Sequence, residues 1–364
     1  MKLAFAGYCL ALIALSEVLY FLYAFYFFDR SGWLPPPFYF DVYDTFIDFY
    51  ATLYWSLDEG RYEVWRSIYP MFPFLLGRLM VSPECLGKVL DPFELRSCDP
   101  NAVAYLVVAL FLGSVIVAGK LQRVIFPAPL IGFKMPMFIL IWISVLISVP
   151  GLMAIERGNF IIFAFLALSL VAARGYGIVS AVCLALAISV KQYLVVLLIV
   201  PYVKQQFGYM GLVISGVVGL QLIALLFVPE SHPDLLLENM VGFNNETAIS
   251  YFDKIWNPTS IQAWTKVFEN SQEILKFLSF DSVNFMTTML VLLGWAIRLS
   301  FLLGVLFMFN PRVRELDGAF LMFYLLVGLL VSTDSIGGYG LLLLVPFWGA
   351  AFRHFSATSP LSLG

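Results

Sequence analysis

The chain has 364 residues, of which 61% are hydrophobic and 12% charged, with a mean hydropathy of +0.89. That is far too apolar for an ordinary soluble domain, and it points to an all-α polytopic membrane protein. The net charge of -3 is small and dispersed, which argues against a nucleic-acid partner and against a polybasic lipid tether.

Residues 3–28 form the first apolar run, long enough to cross a hydrocarbon core. Only Lys2 precedes it and no small-residue cleavage site follows, so it reads as a permanent helix rather than a signal peptide. Further apolar runs lie near 102–119, 137–154, 159–173, 176–190, 192–203, 211–228, 285–309, 319–332 and 338–352, giving a bundle of about ten crossings. With the N-terminus in the cytoplasm, Lys2, Lys120, Arg123, Arg174, Lys204, Arg312, Arg314 and Arg353 all fall on the inner side. The stretch 69–83 is apolar but short, and counting it as a crossing would invert every later loop. It is therefore expected to be a re-entrant or interfacial helix.

Two outer loops stand out by length, residues 29–101 and 229–284, and function is expected to concentrate there. No repeat and no low-complexity linker divides the chain, so residues 1–364 read as one membrane domain. Cys85 and Cys98 lie in the first loop among polar residues. A bridge between them would need an oxidising compartment, and the cysteine count leaves it open. His232 and His354 lack neighbouring ligands at metal spacing, so no metal and no other cofactor is expected.

Within the first loop, "DTFIDFYATLYW" places Asp44 and Asp48 among aromatic residues. Four residues apart, they would share one face of a helix. One reading makes Asp41 or Asp44 the N-cap of an interfacial helix. The other makes a carboxylate at the membrane boundary a general base toward a hydroxyl, its pKa raised by desolvation and by its neighbour. Downstream, "IERGNFIIF" interrupts two apolar runs with Glu156, Arg157, Gly158 and Asn159, readable either as a tight turn or as part of a site. Lys191 sits between two apolar runs, where an intramembrane cation is costly and its natural partner is a phosphate, although it could also snorkel. Arg298 poses the same choice. The second loop carries Asn244, Asn245, Tyr251, Asp253, Trp256, Asn257, Ser260 and Trp264, a mixture that suits a sugar or headgroup as well as a surface helix. Asp334 and Tyr339 flank a Gly-Gly turn on the outer side.

The order of these features resembles the GT-C membrane glycosyltransferases, and among them the polyprenyl-phosphate-mannose-dependent glycosyltransferase family 87. The likeness runs from Asp44 to about Trp348. "DTFIDFYA" is similar to the family's Asp, aromatic, Ala pattern after the first helix; "EGRY", Glu59 to Tyr62, to its Gly-x-x-Tyr region; and "YPMF" to its Tyr-Pro-Pro stretch, with Met71 in place of the second proline. "RGN" stands where the family shows Gly-Gln, "VKQYLVVLLIV" resembles its lysine-bearing helix pair, and "NPTS" and "STDSIGGYGLLLLVPF" resemble its later loop and terminal turn.

The resemblance implies transfer of a sugar, mannose or another hexose or pentose, from a polyprenyl-phosphate carrier to a hydroxyl of an acceptor glycan or glycolipid, with inversion. The setting implied is the outer face of a bacterial inner membrane. Asp44, then Asp48, would be the base; Lys191, Arg157 and Arg61 would hold the carrier phosphate; Glu59, Asn159, Asn257 and Tyr339 would contact sugar or acceptor. Alternatives are a transporter or flippase for a lipid-linked saccharide, an O-antigen polymerase or ligase, and a non-catalytic assembly subunit. Membrane lipid is a partner in every case.

Overall fold

The computed structural model describes residues 22, 45–87, 91–125, 134–228, 232, 234–246, 280–333 and 338–358. Among them every regular element is a helix.

Helix α1 (Ile47–Trp55) opens the described part of the first loop. Its N-cap is Phe46, held at φ 61° with no side-chain cap, so the expectation that Asp41 or Asp44 caps this helix is not met. Asp48 lies in the first turn of this helix; Asp44, expected to share a face with it, lies outside the described residues. The left-handed backbone of Phe46 lets its N–H donate to the Glu156 carbonyl (2.6 Å) far along the chain. The helix thus starts where tertiary structure holds it.

Helix α2 (Met71–Met80) follows Pro70 and buries Met71, Phe72, Pro73, Phe74 and Gly77. Ten residues reach only about 15 Å, half of a hydrocarbon core, so α2 cannot cross. It is held from two sides. A Cβ at Gly77 would meet the Thr52 carbonyl and Ser56 Cβ at 3.3 Å, and the Phe72 N–H donates to Gln221 Oε1. Arg61 is fully buried beneath this segment, donating Nε–H to the Trp55 carbonyl (2.8 Å) with its guanidinium 5.6 Å from the Phe74 ring centroid. Burial lowers the Arg61 pKa. Burial alone would raise the Asp58 carboxyl, but hydrogen bonds from Trp65 and the Gly60 N–H outweigh it and hold the pKa below its usual value.

Helix α3 (Pro92–Cys98) is capped by Asp91, whose Oδ1 accepts from the N–H groups of Phe93 and Glu94. Its last residue closes a Cys85–Cys98 disulfide across 13 positions. Replacing both cysteines by serine is expected to cost about 2–4 kcal/mol. Comparing melting of the full-length protein with and without reductant checks this, and wild-type melting indifferent to reductant would refute it.

From here the chain is a bundle. The helices are α4 (Ala104–Ile125), α5 (Lys134–Leu146), α6 (Val149–Arg157), α7 (Ile161–Arg174), α8 (Ile178–Val190), α9 (Ile199–Val203), α10 (Phe207–Phe227), α11 (Leu235–Glu246), α12 (Phe280–Phe307), α13 (Gly318–Ser332) and α14 (Val345–Thr358). The segments Pro100–Val124, Phe207–Phe227 and Asn284–Phe307 are long and apolar enough to span a bilayer, and the bent pair Phe138–Leu146 and Val149–Arg157, turned by 50°, makes a fourth. Helices α10 and α12 expose Leu226, Phe227, Trp295, Leu306 and Phe307 to the outside. Such contiguous apolar faces are stable in lipid and not in water. This is a membrane protein with an all-helical fold among its described residues.

Short helices fill the interior. Helix α7 buries Ile161, Ile162, Ala164, Phe165 and Leu168, and α8 buries Ala181, Leu184, Ala185 and Ile188, small residues letting the two pack closely. After Val190 the backbone becomes extended at Lys191 (φ -134°, ψ 95°) and resumes as a 3-10 turn, Gln192–Leu198. The chain reverses at this break. Ser180, near the start of α8, hydrogen-bonds Tyr209 near the start of α10, so α8 and the return through α9 lie antiparallel with Lys191 at the apex.

Candidate functional site

Where α6 ends, the chain must turn sharply into α7, and Gly158 makes the turn at φ 65°. The Gly158 N–H donates to the Ile155 carbonyl (2.9 Å) and the Asn159 N–H to the Ala154 carbonyl (3.1 Å), a complete Schellman cap. Glycine is required twice over. Beyond its left-handed φ, a Cβ here would lie 2.9 Å from Phe49 Cβ and 3.0 Å from Phe46 Cα. The tight turn expected from the sequence is therefore real, and it is also what seats α1 against the end of α6.

That contact brings Asp48 to Arg157 and Asn159. Arg157 Nη2 donates to Asp48 Oδ1 at 2.8 Å, with side chains 12% and 18% exposed. Asn159 Nδ2 donates to Asp48 Oδ2 at 2.7 Å, while Asn159 Oδ1 accepts from the Ile161 N–H, fixing which way the amide faces. A carboxylate offers about four lone-pair positions. These two donors hold the carboxylate in one orientation and leave each oxygen capacity for a further proton donor.

The network continues inward. Asn159 Nδ2 also reaches Tyr69 Oη (3.3 Å), and Lys191 Nζ donates to the same oxygen (3.1 Å) while lying 4.3 Å from the Tyr69 ring centroid. Lys191 is 7% exposed and makes no ion pair among the described residues. It did not snorkel. Tyr69 and Tyr339 lie near each other and near Asp48, and Tyr339 also lies near Arg157. Tyr193 adds a buried hydroxyl without a hydrogen-bond partner among the described residues, within electrostatic reach of Tyr69 and Tyr339.

Of the residues expected from sequence, the structure thus gathers Asp48, Arg157, Asn159, Lys191 and Tyr339. Glu59 is exposed in the 3-10 turn Glu59–Arg61. Arg61 donates to the Trp55 carbonyl and lies over the Phe74 ring, both within the first loop. Asp44, Asn257, Tyr251, Asp253, Trp256, Ser260, Trp264 and Asp334 lie outside the described residues. Arg298 donates to the Ser332 carbonyl and lies 5.4 Å from the Trp295 ring centroid, fastening α12 to α13 rather than entering the cluster.

Tyr69 and Tyr193 stand within the quoted motifs "YPMF" and "VKQYLVVLLIV", but the sequence reading gave neither a role in the site. Tyr69 links carboxylate side to ammonium side through its Oη, which accepts from both Asn159 Nδ2 and Lys191 Nζ. Tyr193 follows Lys191 by two residues on the same broken segment, a proximity that could have drawn attention to it.

Chemically, the cluster presents a fixed carboxylate, an amide, phenols and a buried ammonium within a short hydrogen-bonded path. The described residues contain no group of three or more His, Cys, Asp or Glu side chains able to hold a metal ion. No protein-family model, no curated protein and no solved structure matches the chain.

Proposed function

We propose that the protein is a membrane glycosyltransferase of the GT-C kind, resembling glycosyltransferase family 87. It moves a sugar, with mannose favoured, from a polyprenyl-phosphate carrier to an acceptor hydroxyl on the outer face of a cell membrane. The observation that carries the reading is the continuous path Asp48, Asn159, Tyr69, Lys191, which ends on a buried ammonium with no carboxylate partner among the described residues. Asp48 acts on Lys191 only from a distance; a buried cation without a directly paired anion is costly, and an anionic ligand offsets that cost. The phosphate of the carrier is such an anion.

In this reading the acceptor oxygen attacks the anomeric carbon, its proton passes to an aspartate, and the carbon–oxygen bond to phosphate breaks. The electron pair leaves on the polyprenyl phosphate, whose growing charge Lys191 stabilises. Asp48 is the described candidate for the base, with Asp44 beside it in sequence. Arg157 orients Asp48 through Nη2 and adds positive charge on the side of the site where the carrier phosphate is proposed to bind. Tyr339 and Asn159 border the sugar, and Asn257 and Glu59 stay candidates for acceptor contact. The shorter apolar helices complete about ten crossings, with Cys85 and Cys98 on the oxidising side.

The assay is release of polyprenyl phosphate from a panel of glycosylated carriers by the purified protein. Lys191→Met is expected to weaken carrier binding about 10- to 100-fold, the loss of a charge-assisted hydrogen bond, read as a raised KM. Unchanged KM would remove the phosphate role. Movement of labelled lipid-linked sugar across vesicles without cleavage would instead make the protein a transporter.

A further inference from the structure

The end of the bundle opposite Lys191 holds a cavity of about 220 Å³. Its polar wall is built from five places in the chain: Lys120 on α4, Tyr176 and Ser180 where α7 passes into α8, Tyr209 on α10, Asp317 before α13 and Arg353 on α14. Asn159 and Lys191 stand at the far ends of α7 and α8. The 14 residues of α7 alone separate the two sites by about 20 Å. The cavity is a place apart from the Asp48 cluster.

Its charge is unbalanced. Asp317 is the one acid against Lys120 and Arg353, and it is already engaged: Oδ1 accepts from the Ala319 N–H at 2.8 Å, and Oδ2 faces Arg353 at 3.7 Å. Half-buried Lys120 makes no ion pair among the described residues. The Arg353–Asp317 pair is long, with side chains 54% and 43% exposed, so it is weak and neutralises little of the positive charge here. The same lining carries hydroxyls: Ser180 and Tyr209 bond each other at 2.9 Å, and the Tyr176 ring packs on Tyr209.

The remaining wall is apolar, with Val171, Met322 and Phe347. The volume is below the roughly 300–1,000 Å³ of pockets that swallow a whole small molecule. Such a chamber fits a tetrahedral oxyanion whose remainder, if any, is greasy and continues into the bilayer. Around it, Arg174, Lys204, Arg312 and Arg314 sit at the same end, Lys204 through hydrogen bonds to the Arg314 and Leu316 carbonyls. Basic residues gathered at one end mark the face that meets anionic headgroups.

We propose that this cavity binds a phosphate group, carried on an anionic lipid or free, between Lys120 and Arg353. The inference requires that the protein be embedded in a membrane, and it stands whether or not the opposite site transfers sugars.

The test uses the full-length protein in detergent, probed separately with phosphatidylglycerol, phosphatidylcholine and inorganic phosphate. Native mass spectrometry reads retained lipid and thermal shift reads phosphate. Wild type is expected to retain phosphatidylglycerol over phosphatidylcholine, with about a fivefold loss for Lys120→Gln and again for Arg353→Gln, and with Lys120→Arg close to wild type. If inorganic phosphate stabilises wild type and the two neutral variants lose that shift, the ligand is the free ion and the site stands. Melting without ligand shows that each variant is folded. Folded neutral variants that bind all three probes as wild type does overturn the proposal.

Discussion

Asp48→Asn is expected to reduce release of polyprenyl phosphate by about 10²- to 10⁴-fold, the usual contribution of a positioned general base. The substitution keeps the shape but removes the charge and places an amide nitrogen where an acceptor stood. One Asn oxygen could still take the hydrogen bond from Arg157, but the new Nδ2 would then face Asn159 Nδ2, donor against donor. Asn159 cannot turn its oxygen toward it without releasing the Ile161 N–H. Arg157 also loses its counter-charge, and breaking a largely buried ion pair from one side costs about 3–5 kcal/mol. Activity is therefore measured on protein whose melting shows it folded, beside Asp44→Asn. Turnover retained by both variants would end the proposal that an aspartate of this segment is the base.

The second large effect involves no charged group. Gly158→Ala is expected to lower stability by about 2–5 kcal/mol: about 1–2 for an L residue in the left-handed conformation and 1–3 for overpacking. The overpacking cannot be relieved by a rotamer change, because the nearest atoms are Phe49 Cβ and Phe46 Cα, both at the backbone of the α1 start. Moving them pulls Asp48 from Arg157, so activity should fall with stability. Gly158→Asn separates the two causes. Asparagine tolerates the left-handed region, yet it brings the same Cβ, so it should recover only part of the loss in melting temperature and little activity. Full recovery by Asn would show that close approach of α1 to α6 is not what the position demands.

Both predictions depend on features that differ in how far the sequence shows them. The uninterrupted apolar runs at Pro100–Val124, Phe207–Phe227 and Asn284–Phe307 are visible without coordinates, because crossing hydrocarbon demands length and hydropathy, which are local properties. The breaks at Arg157 to Asn159 and at Lys191 are visible for the same reason: polar residues inside apolar runs are expensive and so they stand out. That α2 is too short to cross also follows from counting residues.

What sequence could not supply was pairing. Asp48 and Arg157 are 109 positions apart, and Tyr69 and Lys191 are 122 apart. No local pattern encodes which of several carboxylates and cations will meet. The start of α1 shows the same limit: propensity favours an aspartate cap, but the N-cap is Phe46, whose N–H the Glu156 carbonyl takes. By itself the sequence determined that the chain is helical, belongs in a membrane and carries polar residues at rare interior positions, since solvation acts residue by residue. Only the tertiary structure decided that Asp48, Asn159, Tyr69 and Lys191 form one network and that a second, cationic chamber lies at the other end, since each depends on distant segments packing to within a hydrogen bond of one another.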